Sequence, residues 1–134
     1  MTLNHATRLA YGLLGTLYIF IGVGSMLLPP GWLPGDLAER FLVGEPLTPF
    51  FGHLLQEFGT VVIALGLVFL WRGCRPEHSP AFHWAMTFYC PLDALIHWVG
   101  PQGVIGSLQR GIVNSIPAAV LLVLGLLRLR ASGE

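Results

Sequence analysis

Apolar residues gather into four long stretches separated by short polar breaks, at about Leu9–Leu28, Pro49–Trp71, Ala81–Val99 and Ile105–Leu127. A helix crossing a bilayer needs about 20 predominantly apolar residues, and each stretch meets or approaches that length. The first is too long for a signal-peptide core and has no small-residue cleavage site before the following loop, so it is read as a span. Two of the stretches open on a helix-start signature. In Thr48-Pro49 and Ser79-Pro80 a capping hydroxyl precedes proline at the first helical position, where its missing N–H costs nothing. Gly100-Pro101-Gln102-Gly103 reads as a tight turn between the third and fourth stretches. An open sheet in lipid is excluded because its edges would be unsatisfied in hydrocarbon. The pattern predicts an all-α, four-helix membrane bundle running up, down, up, down, with residues 1–134 as one four-span domain.

Two finer patterns modify this outline. The first outer loop, Pro29 to Leu47, contains Asp36 and, three residues on, Glu39, which reads as a capping box. Trp32, Leu37, Phe41 and Leu42 would give such a segment an apolar surface, so a short helix lying at the outer interface is predicted there. An irregular loop anchored by Trp32 is the alternative. Glycines are also ordered: Gly52, Gly59 and Gly66 recur every seven residues, as do Gly15 and Gly22. Small residues on one stripe let helix backbones approach closely in lipid, within one bundle or between copies by self-association.

Composition fixes the class. The chain is 54% hydrophobic and only 10% charged, with a mean hydropathy of +0.68. A soluble domain carries about 25% charged residues, so this chain has no means of clothing a water-facing surface, and disorder is excluded for the same reason. Its formal charge is zero and all seven basic residues are arginine, which leaves no footprint for nucleic acid. Two cysteines, Cys74 and Cys90, make no disulfide framework. Cys90 reads as a buried free thiol, and Cys74 as an inert or acylated one near the interface.

Arginine placement sets the orientation. Arg8, Arg72, Arg75, Arg128 and Arg130 lie on the side of the two termini and the middle loop, whereas the outer loops carry Arg40 together with Asp36, Glu39 and Glu45. Basic residues accumulate on the cytoplasmic side. Both termini are therefore predicted to be cytoplasmic, in a bacterial-type inner membrane. Trp71, Trp84, Trp98 and Tyr11 read as aromatic belts, and His83 as a group snorkelling to the interface.

The candidate chemistry lies in polar residues within the spans. His53 and Glu57 are four apart in the second stretch, and Asp93 and His97 four apart in the third. Such pairs share one helix face. At a rise of about 1.5 Å per residue, His53 lies roughly 8 Å and Glu57 roughly 14 Å below the outer boundary, with His97 roughly 5 Å and Asp93 roughly 10 Å down. Arg110 and Asn114 in the fourth stretch, and Tyr18 and Ser25 in the first, are placed to contribute to one outer-half pocket. Pro91 and Pro117 would open space beside Asp93 and Asn114.

An ionised side chain at the bilayer centre costs about 2.5–3.5 kcal/mol on insertion scales, and such residues usually serve function. Several readings follow. His53, Glu57, Asp93 and His97 form a donor set for a divalent metal (Zn²⁺, Fe²⁺ or Cu²⁺). Without a metal they would bind the polar head of a lipid-like ligand, oriented by Arg110, Asn114, Tyr18 and Ser25, with Glu57 and Asp93 as an acid/base pair. A purely structural cluster in an accessory subunit of a larger membrane complex is the main alternative. A b-type haem on His53 and His97 is the third, and the neighbouring carboxylates argue against it.

Two resemblances accompany these residues. In size and four-span layout the chain resembles small bacterial membrane proteins of the DoxX-like type, a likeness of hydropathy from which no function is carried. His53-Leu54-Leu55-Gln56-Glu57 resembles the His-x3-Glu pair of emopamil-binding-type sterol isomerases and their ligand-binding relatives. That resemblance implies a pocket for a lipid substrate.

Overall fold

A computed structural model describes residues 2–27, 49–75, 77, 79–99 and 108–132; within these, the side chains of Phe50, Phe51, Ile96, His97, Val99 and residues 108–110 lie outside the description. Every regular element among the described residues is an α-helix: α1 Leu3–Leu27, α2 Pro49–Cys74, α3 Pro80–Val99 and α4 Leu108–Ser132. Three segments are long and apolar enough to cross a membrane, Leu3–Leu27, Gly52–Cys74 and Gly111–Ser132. α3 has 20 residues, enough length for a span, but His83, Thr87, Asp93 and His97 interrupt its apolar run. The predicted interfacial helix, the Thr48 cap and the Gly100–Gly103 turn lie outside the described residues.

The helices outrun the apolar stretches at several ends. α1 begins six residues before Leu9 and α4 continues five residues beyond Leu127. Hydropathy reports where hydrocarbon ends, whereas a helix continues until its backbone finds other partners. At α3 the expected start holds. The Phe82 amide donates to Ser79 Oγ at 3.4 Å and the His83 amide to the Ser79 carbonyl at 3.0 Å, so Ser79 caps a helix that opens on Pro80.

The chain divides into two compact units. One is Tyr11–Cys74, which holds most of α1 and all of α2. Here the glycine stripes meet. A methyl built on Gly22 would fall 2.6 Å from the Gly59 carbonyl oxygen, and one on Gly59 would fall 2.6 Å from the Gly22 oxygen. One turn-pair away, Gly15 and Gly66 repeat this reciprocity at 2.8 and 2.7 Å. Descending numbers on α1 meet ascending numbers on α2, so the two helices are antiparallel. Below this seam Phe69 is fully buried, with the Tyr11 ring edge-on and the Tyr18 ring stacked, both at 5.7 Å between centroids. Tyr11 is thus a packing residue and not the belt aromatic its position predicts. Its ring finds an aromatic partner one helix away, which hydropathy does not encode.

The other unit comprises Met1–Ala10 and Arg75–Glu134. Its α3 and α4 are antiparallel as well. His83 and Trp84 near the start of α3 abut Gly125 near the end of α4, and Trp98 near the end of α3 lies over Gly111 at the start of α4. The Trp98 indole N–H also donates to Ser115 Oγ at 3.0 Å. His83, read from sequence as an interfacial snorkelling group, is only 1% exposed. Its Nε2–H donates to the Leu121 carbonyl at 2.9 Å. Gly125 makes this possible, since a methyl there would lie 3.0 Å from that nitrogen. Cys90 is a buried thiol outside any disulfide, as expected. In the same unit Arg128, in the last turns of α4, binds the first turns of α1. Its Nη2 donates to Asn4 Oδ1 and Thr7 Oγ1, each at 2.9 Å. The first turns of α1 and the last turns of α4 therefore meet.

Candidate functional site

α2 is divided lengthwise. Gly52, Gly59, Val62, Gly66 and Phe69 are buried, and on the far side of the helix His53, Glu57 and Thr60 are exposed. The glycine seam takes the buried face against α1, which leaves the polar stripe turned away from that partner. On this stripe His53 Nε2 lies 3.2 Å from Glu57 Oε1, with the two side chains 69% and 64% exposed. An α-helix dictates such a meeting, because residues four apart stand one above the other. Thr60 continues the stripe, with its hydroxyl within 2.9 Å of both the Gln56 and Glu57 carbonyls. Sequence reading passed over Thr60, although its spacing of three from Glu57 places it on the same face.

The pair has a definite chemistry. With Nε2–H donated to Glu57, the imidazole keeps its Nδ1 lone pair for a proton or a metal. A carboxylate behind an imidazole fixes the tautomer and the ring orientation, as behind many metal-ligating histidines. Glu57 retains lone pairs on both oxygens for a cation or a donor group.

The remaining predicted residues fall as follows. Tyr18 and Ser25 belong to the same unit as His53 and Glu57, and both are buried. Tyr18 stacks on Phe69, and Ser25 Oγ donates to the Ile21 carbonyl at 3.0 Å within its own helix. Asp93, His97, Arg110 and Asn114 belong to the other unit. Asp93 is partly buried on α3, next in sequence to the buried Ala94. Asn114 is partly buried on α4, next to Ser115, whose hydroxyl donates to the Gly111 carbonyl at 2.8 Å. The side chains of His97 and Arg110 lie outside the description. Of the predicted pairs, His53 with Glu57 is the one the described side chains bring together.

Among the described residues, neither unit holds a group of three or more His, Cys, Asp or Glu side chains placed for a metal ion. Comparison with protein-family models, with curated proteins and with solved structures gives no match. The two resemblances noted in the sequence thus rest on layout and on five residues alone. What is established is that every regular element among the described residues is a helix, and that three of these segments are long and apolar enough to cross a membrane.

Proposed function

We propose that this chain is a small polytopic membrane protein whose His53–Glu57 pair forms the core of a site for a metal ion or for the polar head of a lipid-like ligand. The observation that carries the reading is the 3.2 Å imidazole–carboxylate contact on the face of α2 opposite the glycine seam. Facing hydrocarbon, two such groups cost several kcal/mol by insertion scales, and α1 has its own contact elsewhere on the helix. A polar stripe kept on that face calls for an occupant. His53 supplies Nδ1 as a ligand or proton acceptor, and Glu57 holds the ring and moves the proton. Asp93 and His97, with the mirrored spacing, are the sequence's candidate for a second such pair on α3. The proposal includes four spans in up-down-up-down order, a short interfacial helix after α1, and cytoplasmic termini in a bacterial-type inner membrane, on the strength of the arginine distribution.

One observation favours a second reading. Both members of the pair are more exposed than buried, which suits an accessory subunit whose partner helix closes over the stripe. One set of measurements separates the two. Detergent-purified wild type is assayed for metal content, absorbance and co-purifying lipid beside Glu57→Gln, His53→Ala and Asp93→Asn. Under the leading reading, wild type carries Zn, Fe or Cu, or a retained lipid. Glu57→Gln then lowers metal affinity about 10- to 100-fold, the usual cost of removing the carboxylate behind a ligating imidazole, while helicity stays unchanged. Absence of both metal and lipid, with a stoichiometric protein partner lost in His53→Ala, establishes the accessory subunit instead. A Soret band would identify the bis-histidine cytochrome and overturn both.

A further inference from the structure

We propose a second site, in the other compact unit, that binds a phosphate group, foremost the headgroup of an anionic lipid. A cleft of about 460 Å³ opens where the first residues of α1 meet the start of α3 and the end of α4; Thr2, Asn4, His83, Trp84, Arg128 and Ser132 contribute to its wall. Every part of it lies within one compact unit.

Arg128 gives the cleft its chemistry. The guanidinium is partly buried, and its partners are all neutral: Nε and Nη2 donate to Thr7 Oγ1 at 3.3 and 2.9 Å, and Nη2 also reaches Asn4 Oδ1 and the Leu3 carbonyl. Among the described residues no carboxylate pairs with it and nothing accepts from Nη1. The C-terminal dipole of α4 offsets at most about half a charge. A half-buried, permanently charged group is thus held rigid by Thr7, whose own hydroxyl is fixed on the Leu3 carbonyl at 2.9 Å. A guanidinium fixed in this way, short of a counter-charge among the described residues, keeps its two Nη1 N–H groups to donate to a phosphate.

The rest of the cleft fits a lipid better than a free ion. Its polar wall, with Thr2, Asn4, Arg128 and Ser132, adjoins an apolar one with Pro80, Trp84 and Leu129. A headgroup beside the root of an acyl chain presents the same sequence of surfaces. Trp84 supplies the amphipathic ring that settles at this level of a bilayer. The arginine distribution puts this end on the cytoplasmic side, where anionic lipids concentrate and where basic pockets between membrane helices bind their headgroups.

The test uses the purified full-length protein in neutral detergent, with tryptophan fluorescence and native mass spectrometry as readouts. Phosphatidylglycerol, phosphatidylcholine and inorganic phosphate are titrated separately. Phosphatidylglycerol is expected to bind at least about tenfold more tightly than phosphatidylcholine, which carries the same phosphate but whose quaternary ammonium cancels its charge and faces the guanidinium as a like charge. Arg128→Gln should abolish that preference and Arg128→Lys should restore part of it. Because Arg128 also ties the chain ends together, Ala131→Glu serves as a second variant. Residue 131 is exposed on the rim of the cleft, so a carboxylate there opposes an anion without disturbing the Arg128–Thr7 contacts. It should weaken phosphatidylglycerol binding to a similar extent while the melting temperature holds. Inorganic phosphate competing at equal affinity would identify a free anion as the source of the same chemistry. Equal binding of both lipids, or an Ala131→Glu protein that binds phosphatidylglycerol like wild type, overturns the proposal.

Discussion

Gly22→Val is expected to separate α1 from α2 and to remove most of the resistance of this pair to denaturation. The added Cβ would stand 2.6 Å from the Gly59 carbonyl oxygen, 2.7 Å from Ile63 Cγ1 and 2.9 Å from the Ile63 amide nitrogen. Two of those three atoms are backbone, so no rotamer change relieves the collision and the helices must move apart. In lipid this movement is costly in its own way. Hydrocarbon tails are as apolar as the side chains, so association draws on close packing and not on exclusion from water. Overpacking a core costs about 1–3 kcal/mol and occasionally more, and a clash against backbone belongs at or above the top of that range. Gly59→Val meets the Gly22 oxygen at the same 2.6 Å and should behave alike, with the two effects far from additive because they break one contact. Gly12→Ala is the control. Nothing lies within 4 Å of its added methyl, and alanine is favoured over glycine in a helix by about 1 kcal/mol. SDS titration in mixed micelles, followed by circular dichroism, should show early midpoints for the first two variants and an unchanged or later one for the third. A wild-type midpoint for Gly22→Val would mean that the backbones do not approach there.

The seam shows how far the sequence alone reaches. A seven-residue recurrence of glycine is a helical stripe whatever surrounds it, so its use in close packing was legible, and so was the meeting of His53 with Glu57. Both follow from the geometry of a single helix. The cap at Ser79-Pro80 was legible for the same local reason. What one sequence does not carry is which helix faces which. His83 lies four residues into α3, where a polar ring is ordinarily assigned to the interface. Its burial depends on Gly125, more than forty residues away, leaving room and on the Leu121 carbonyl accepting its proton. Tyr11 departed from expectation in the same way, through Phe69. Arg128 was read only as one of five charges setting orientation. Its hold on Asn4 and Thr7 links opposite ends of the chain, a contact to which hydropathy is blind. Polar atoms that satisfy one another at long range thus mark the places where a pattern-based reading of a membrane chain falls short.

Phe69→Ala is expected to be the other severe substitution, and it bears on the role of Tyr18. The phenyl ring is 0% exposed. It meets Tyr11 at an interplanar angle of 65° and Tyr18 at 14°, each with centroids 5.7 Å apart. Removing it leaves a void between two rings that α1 holds from the other side. In water such a change costs about 3–5 kcal/mol, part of it transfer energy and part the cavity. A bilayer reduces the transfer part, because the unfolded reference is also apolar, and leaves the lost dispersion contacts in full. A loss of about 2 kcal/mol or more is therefore expected, read as an earlier SDS midpoint, with Phe69→Leu recovering roughly half by filling part of the space. Tyr18→Leu combined with Phe69→Leu completes a cycle, and a stacked pair of this kind should return a coupling of about 0.5–1.5 kcal/mol. If instead Tyr18→Leu leaves stability untouched yet alters the retained metal or lipid, the ring is not needed for packing and its place is in the ligand site. A tyrosine that is both stacked and buried has little freedom to serve both ends. The cycle thus decides whether α1 lends its side chains to the site or only its backbone, through Gly15 and Gly22, to the helix that carries it.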